Sequence, residues 1–139
     1  MTVVLDASFA LGWLYERADQ REAERADRML CSLDAVDAWV PWLWHTEITN
    51  SLLVGERRGL ISEATGAAFL GRLVGLPILT DSLLPQARRE AVLALAREHG
   101  LSAYDAVYLE LALRLGGTMA TFDTRLAAAM DRCGGVVLV

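Results

Sequence analysis

The sequence predicts a single α/β domain over residues 1–139, with a mostly parallel central sheet of about four to five strands and helices on both faces. Short β-branched segments alternate with helical segments along the whole chain, which is the pattern of strand–helix–strand units. Apolar residues make up 54% of the chain, enough for a packed core. The length of 139 residues suits one ordinary domain rather than two.

The strands are predicted where a short run of apolar, mostly β-branched residues is bounded by polar or turn-forming residues. The first run ends at Asp6, and the last run follows Gly135. The second is either a strand or an extended entry to the next helix. In chain order, the predicted strands are residues 2–5, 38–41, 77–80, 118–121 and 136–139.

The helices are predicted from apolar residues at helical spacing and from residues that favour helix ends. Ser8, Ser62 and Ser102 stand where a hydroxyl can cap a first turn. Glycines follow several of the predicted C-termini. In chain order, the predicted helices are residues 8 to about 15–17, 21–33, 43–58, 62–73, 84–98, 102–115 and 124–133.

The basic residues exclude several functions. All 13 are arginines, so a phosphate-binding loop that ends in Gly-Lys-Ser/Thr and a Schiff-base lysine are both excluded. The net charge of −5 argues against non-specific DNA binding through a basic face. A nucleic-acid substrate remains compatible with this charge if metal ions lie between the protein and the phosphates.

Cysteine, histidine and the N-terminus add further exclusions. Cys31 and Cys133 are isolated in the sequence, so we expect no structural zinc site, and His45 and His99 lie outside any nucleophile motif. The N-terminus lacks the basic stretch of a secretory signal. No apolar run approaches the roughly 18–20 residues of a membrane span. We therefore expect a soluble, cytoplasmic domain that does not enter a membrane.

Two acidic residues follow predicted strands. Asp6 comes directly after the first strand, and Asp123 comes just after residues 118–121. In parallel α/β sheets, ligands bind beyond the carboxyl ends of the strands. Each residue could instead serve as the N-cap of the helix that follows.

Glu47 lies on the apolar face of its predicted helix, where a charged side chain is not expected. At about 100° per residue, it shares the apolar stripe of Leu43 and Val54, and Asn50 flanks the same face. Burying a lone carboxylate costs several kcal/mol unless a partner compensates the charge. Glu47 is therefore a candidate functional residue.

Asp105 occupies a similar position on a later helix. It shares the apolar face with Tyr108, whereas Glu110 and Arg114 point the opposite way. Ser102 and Asp105 also have the spacing of a capping box, with Asp in place of Glu, so a structural role is possible.

Few cations are predicted near these four acids. The chain has no lysine, and the nearest arginine on either stripe is Arg58, close to the far end of its helix. Converging carboxylates repel one another, so either some are protonated or a cation joins them. Carboxylate oxygens are the ligands of Mg²⁺ and Mn²⁺, and such clusters are typical of metal-dependent phosphodiester cleavage.

Four segments then identify a family resemblance, and together they span most of the chain: VLDAS at 4–8, WHTEITN at 44–50, LSAYDAVYL at 101–109 and ATFDTRL at 120–126. Their order and spacing resemble the PIN domain, and within it the toxin component of VapBC-type toxin–antitoxin pairs.

The resemblance implies roles for particular residues. The acidic positions of the family match Asp6, Glu47, Asp105 and Asp123, which we expect to be catalytic. Asp6 and Asp105 match the usual Mg²⁺ ligands, and we assign Asp123 to the metal site with them. Ser8, Asn50 and Thr121 match polar positions that support the site. Some relatives carry a further acid where this chain has Ala127.

The resemblance also implies an activity and partners. We expect a Mg²⁺- or Mn²⁺-dependent endoribonuclease, the toxin of a type II pair, that cleaves RNA phosphodiester bonds with a metal-activated water. The expected partners are an RNA substrate, a cognate antitoxin that holds the enzyme inactive, and a second copy in a homodimer. The toxin is also expected to form a hetero-oligomer with the antitoxin and to contact DNA only indirectly through it.

Two other readings of the residues remain open. A metal-dependent phosphatase or another acidic-cluster nuclease would use the same carboxylates, although a haloacid-dehalogenase-like enzyme needs a second Asp where Ser8 stands. A non-catalytic α/β binding module would use the acids only as helix caps. Such caps require no divalent ion, so metal dependence separates the two classes.

Overall fold

The computed structural model describes residues 1–138 and contains a five-stranded sheet. The strands are β1 (Thr2–Leu5), β2 (Asp37–Val40), β3 (Ile78–Thr80), β4 (Thr118–Ala120) and β5 (Val136–Val137). Their order is β3-β2-β1-β4-β5, and each neighbouring pair is parallel. The predicted α/β class and parallel sheet are confirmed. Residue 139 of the last predicted strand lies outside the described residues.

Helices connect the strands in chain order. They are α1 (Ala7–Leu11), α2 (Gln20–Ser32), α3 (Trp42–Arg57), α4 (Glu63–Val74), α5 (Arg89–His99), α6 (Ala103–Leu115) and α7 (Thr124–Arg132). Short 3-10 turns cover Leu33–Ala35 and Pro85–Ala87. Within residues 1–138, no helix has the length and hydropathy that crossing a membrane requires.

The core centres on β1, which lies in the middle of the sheet. Val3, Val4 and Leu5 are consecutive and fully buried, so both faces of this strand are covered. Leu5 is paired with Ala120 of β4, and the backbone N–H of Asp6 donates to the Ala120 carbonyl at 2.9 Å. The carboxyl ends of β1 and β4 therefore lie side by side.

The first predicted helix is wrong in length and in its cap. Helix α1 ends at Leu11, and the chain continues in turns. In these turns, the backbone N–H groups of Trp13 and Leu14 donate to the carbonyl oxygens three residues earlier. Ser8 lies inside α1, and Asp6 occupies the N-cap position. Gly12 is the C-cap residue, and a Cβ atom there would lie 3.0 Å from the Ala26 Cβ atom of α2. The close approach of α2 therefore marks the end of this helix.

The predicted helix over residues 84–98 also begins later than expected. Pro85–Ala87 form a 3-10 turn, and α5 begins at Arg89. Between them, Arg88 has a φ of −112° and a ψ of −1°, and its side chain pairs with Glu110 of α6. The other predicted helices agree with the structure to within about two residues, which is the usual uncertainty of helix ends.

Candidate active site

The four predicted acids lie together at the carboxyl edge of the sheet. Asp6 follows β1, Asp123 follows β4, Glu47 lies on α3, and Asp105 lies in the first turn of α6. All four line one open groove of about 580 Å³, together with Ser8 and Asn50. The topology thus brings residues from four parts of the chain to one site.

Asp6 is held by two hydroxyl groups. Its side chain is buried, and Oδ2 accepts hydrogen bonds from Ser8 Oγ at 2.7 Å and Thr121 Oγ1 at 2.6 Å. Each hydroxyl itself accepts a backbone N–H, from Phe122 and Asp123 respectively, so its own proton is directed to Asp6. Although Asp6 occupies the N-cap position, its carboxylate makes no capping hydrogen bond. The helix-cap alternative is wrong for this residue.

Asp123 does cap a helix. Its Oδ1 accepts the backbone N–H of Leu126 at 2.9 Å, which satisfies a donor in the first turn of α7. The capping alternative is therefore correct here, but a carboxylate has further acceptor sites. Asp123 also lines the groove, so capping does not remove it from the site.

Asp105 forms one half of the predicted capping box. Its backbone N–H donates to Ser102 Oγ at 3.1 Å, so this contact uses the backbone of Asp105. The half-buried carboxylate lines the groove. Replacing the carboxylate by an amide would leave the cap in place.

Glu47 is bound by Tyr108. The Tyr108 hydroxyl donates to Glu47 Oε1 at 2.6 Å, and its ring is almost fully buried. The sequence placed Tyr108 on the face of Asp105 but held no sign that it reaches α3. Burial and the nearby acidic charges raise the pKa of Tyr108 far above its ordinary value, so the hydroxyl stays protonated.

Burial raises the pKa of three groove carboxyls above their ordinary values. The hydrogen bonds to Thr121 and Ser8 oppose the rise for Asp6, and the bond to Tyr108 opposes it for Glu47. For Asp105, the charge of Asp123 adds to the effect of burial, whereas Arg125 opposes it. The ionised groove is therefore electrostatically costly unless a cation enters it.

The arginine that lies near the four acids is Arg17, not Arg58 as the sequence predicted. Arg58 is the C-cap residue of α3 and does not line the groove, whereas Arg17 does. Arg17 Nε donates to Glu22 at 2.9 Å, and its guanidinium lies 4.5 Å from the centre of the Phe122 ring. Its charge is already paired, so Arg17 does not neutralise the four acids.

The chemistry of these donors suits a hard divalent cation. Among residues 1–138, no group of three or more His, Cys, Asp or Glu side chains is arranged so that it could hold a metal ion. Mg²⁺ commonly takes only one or two carboxylates and completes its shell with water and substrate phosphate oxygens. The groove fits an ion bound in that way, and the assignment of Asp6, Asp105 and Asp123 as ligands stays a prediction.

Glu110 and Arg114 do not line the groove of the four acids, and they form a partly buried ion-pair network. Glu110 is buried and accepts from Arg88 Nε and Arg114 Nε, and Arg114 also pairs with Asp81. The two carboxylates raise the pKa of Arg114 above its ordinary value. This network joins α6 to the end of β3 and the turn before α5, and it lies apart from the groove that holds the four acids.

A family model described as PIN domain matches residues 3–131 of the chain. The chain is 36% identical over 131 residues to Ribonuclease VapC3 of Pyrobaculum aerophilum, and the match covers 91% of this chain and 93% of the relative.

Solved structures have the same fold. The crystal structure of PAE2754 from Pyrobaculum aerophilum matches with a TM-score of 0.73 at 21% identity, covering 99% of this chain and 88% of that one. VapC20 of Mycobacterium tuberculosis, described as a toxin that cleaves the sarcin–ricin loop, matches with a TM-score of 0.64 at 19% identity, covering 98% of each chain. At these identities the likeness concerns the fold.

Proposed function

The chain belongs to the PIN domain family, and on that premise we propose that it is a metal-dependent endoribonuclease, the toxin of a type II toxin–antitoxin pair. The observation that carries the proposal is the groove lined by Asp6, Glu47, Asp105 and Asp123. The sequence contains no lysine, and Arg17 is engaged by Glu22. Four carboxylates in a groove whose lining arginine is already paired favour the binding of a cation.

Asp6, Asp105 and Asp123 are the proposed carboxylates of the Mg²⁺ or Mn²⁺ site, in which one or two of them would bind the ion directly. When bound, such an ion polarises the scissile phosphate and makes a bound water more acidic. Ser8 and Thr121 orient the Asp6 carboxylate, and Asn50 lies at the rim of the groove. Asp123 at the same time fixes the start of α7.

Glu47 is the proposed general base. Burial raises its pKa, which makes the ionised carboxylate a better proton acceptor near neutral pH. Tyr108 binds Oε1 and fixes the carboxylate in place. Glu47 takes a proton from the attacking water, the water oxygen forms a bond to phosphorus, and the bond to the leaving ribose oxygen breaks. The leaving oxygen takes up a proton from solvent.

Single-stranded loops are the proposed targets, because their backbone and bases are accessible to an open groove. Purified protein with Mg²⁺ or Mn²⁺ is incubated with structured RNA, and the cut positions are mapped. We expect cuts in loops and none in the presence of EDTA. Cutting that persists in EDTA would contradict the proposal.

The antitoxin would cover the acidic groove. A net charge of −5 and four carboxylates in one groove favour a basic segment, with arginines placed near the acids. Co-expression with the product of the neighbouring small gene should relieve growth inhibition, and unchanged inhibition would contradict this partner. The toxin would act in the cytoplasm and reach DNA only through the antitoxin.

A second copy would cover a different surface. An apolar groove of about 510 Å³ is lined in part by Trp42, Leu83, Leu93 and Tyr104, all at least 40% exposed. Among its charged lining residues, Arg88 pairs with Glu110 and Asp81 pairs with Arg114, whereas Arg89 is exposed. A largely apolar surface with few charged groups is typical of homodimer interfaces. The variant Leu93→Asp should shift the chain to the monomer in analytical ultracentrifugation, and an unchanged mass distribution would contradict this interface.

A further inference from the structure

A second, basic groove runs along α7 beside the acidic one. It measures about 280 Å³ and is lined by His99, Gly100, Thr124, Arg125, Ala128 and Arg132, which we call the α7 groove. Thr124 directly follows Asp123, so the α7 groove begins where the acidic groove ends. A strand that leaves the acidic site along α7 would therefore enter it.

Two arginines give the α7 groove its charge. Arg125 and Arg132 are seven residues apart on α7, which places them on the same face about 10 Å apart along the axis. Ala128 lies between them and leaves the space open because its side chain is small. Among residues 1–138, neither arginine forms an ion pair with a carboxylate. Arg125 acts on Asp105 at longer range, but neither guanidinium is neutralised by a direct ion pair, so both can bind an anion.

Arg132 is held in place by a buried histidine. Its Nε donates to His99 Nδ1 at 3.3 Å, and the His99 side chain is only 7% exposed. Because Nδ1 accepts this bond, the proton of a neutral His99 lies on Nε2, which is 3.3 Å from Cys133 Sγ. The Nη groups of Arg132 remain for an external ligand. Glu98 is 3.9 Å from His99 and is largely exposed.

We propose that Arg125 and Arg132 bind backbone phosphates of the RNA strand that extends from the acidic groove along α7. This inference rests on the proposed ribonuclease function. The acidic groove attracts metal ions but repels phosphates, so an acidic protein needs separate cationic groups to retain its substrate. Arg17, which lines the acidic groove, is already paired with Glu22. The α7 groove supplies the cations that the acidic groove lacks.

The test compares Arg125→Gln and Arg132→Gln with the wild type in steady-state cleavage of a single-stranded RNA at graded salt concentrations. Arg72→Gln on α4 is the matched control, because it removes the same charge from a residue outside both grooves. We expect both α7 variants to raise KM severalfold, with kcat unchanged in Arg132→Gln; Arg125→Gln also removes a charge that acts on Asp105, so its KM and salt slope are the relevant readouts. We also expect the slope of log kcat/KM against log salt to become shallower by about 0.7 for each phosphate that the variant no longer binds.

The result separates this inference from the function on which it rests. If the wild type cuts RNA and both α7 variants have the same KM and salt slope as the wild type, phosphate binding by Arg125 and Arg132 is overturned, but the ribonuclease function is not. An equal change in Arg72→Gln overturns this phosphate binding too, because the effect then reflects net charge. A wild type that neither cuts RNA nor binds it in fluorescence anisotropy overturns both proposals.

Discussion

The hydroxyl of Tyr108 donates a 2.6 Å hydrogen bond to Glu47 and so joins α6 to α3 across the acidic groove. Tyr108 is almost fully buried, whereas Glu47 is half-buried and faces the groove. A rigid core residue thus positions a carboxylate that solvent and substrate can reach.

Removal of this bond should change the pH dependence of cleavage. Burial raises the Glu47 pKa and the Tyr108 bond partly offsets the rise, so Tyr108→Phe should raise the pKa further. The acid limb of the pH–kcat profile should move to higher pH, with a stability loss of about 1 kcal/mol. Tyr104→Phe, at a residue that is 66% exposed, is the control. An unmoved acid limb in Tyr108→Phe would exclude Glu47 as the base.

Asp105→Asn should stabilise the metal-free protein. Burial and the charge of Asp123 both disfavour the ionised Asp105 carboxylate, and the amide keeps its shape and the backbone cap. We expect a gain of about 1 kcal/mol in EDTA, kept small by solvent screening, together with loss of cleavage. Added Mg²⁺ should stabilise the wild type. Asp27→Asn, at an exposed residue, is the control. If Asp105→Asn melts below the wild type in EDTA, the Asp105 carboxylate stabilises the fold and the prediction is contradicted.

The stability difference between Asp105→Asn and the wild type should depend on pH. An acid whose pKa is raised in the folded state binds more protons than in the unfolded state, so its contribution to stability falls as pH rises above its ordinary value of about 4. In EDTA, the stability advantage of Asp105→Asn should therefore shrink as the pH is lowered from about 7 towards about 4. Urea unfolding at both pH values measures it. An advantage that grows on acidification contradicts a raised Asp105 pKa.

The hydroxyl groups on Asp6 should affect metal affinity. Thr121→Val keeps the shape of the side chain but removes one of the two hydroxyls that bind Oδ2. We expect roughly 10- to 100-fold weaker Mn²⁺ binding by calorimetry, as for other residues that orient a ligand. Thr46→Val, at an exposed position on α3, is the control. Unchanged affinity in Thr121→Val would place the ion away from Asp6.

Helical periodicity predicted the direction of Glu47 and Asp105 because a residue's face depends only on its position along the helix. The strand ends likewise predicted where Asp6 and Asp123 meet, since parallel neighbours end at one edge. Helix face and strand end are local properties, and the tertiary packing of this chain preserves both.

The partners of these acids could not be predicted in the same way. Tyr108 and Glu47 are 61 residues apart in the chain, and only tertiary packing brings them together. Arg17 reaches the groove from a non-helical segment after α1, so helical spacing gives no direction for its side chain. Glu110 is buried because arginines from two elements converge on it. Long side chains adopt directions that sequence spacing does not determine.

The most direct test of the account is RNA cleavage by the wild type and by Asp6→Asn in Mn²⁺, with Asp37→Asn at an exposed strand residue as the control. Asp6→Asn retains the shape of a buried side chain that two hydroxyls bind, but it removes the charge that a metal ion requires. We expect the wild type and Asp37→Asn to cut RNA, EDTA to stop both, and Asp6→Asn to fall to background while it remains folded. Undiminished cutting by a folded Asp6→Asn variant would contradict the account, because the activity would then not depend on the carboxylate at the centre of the proposed site.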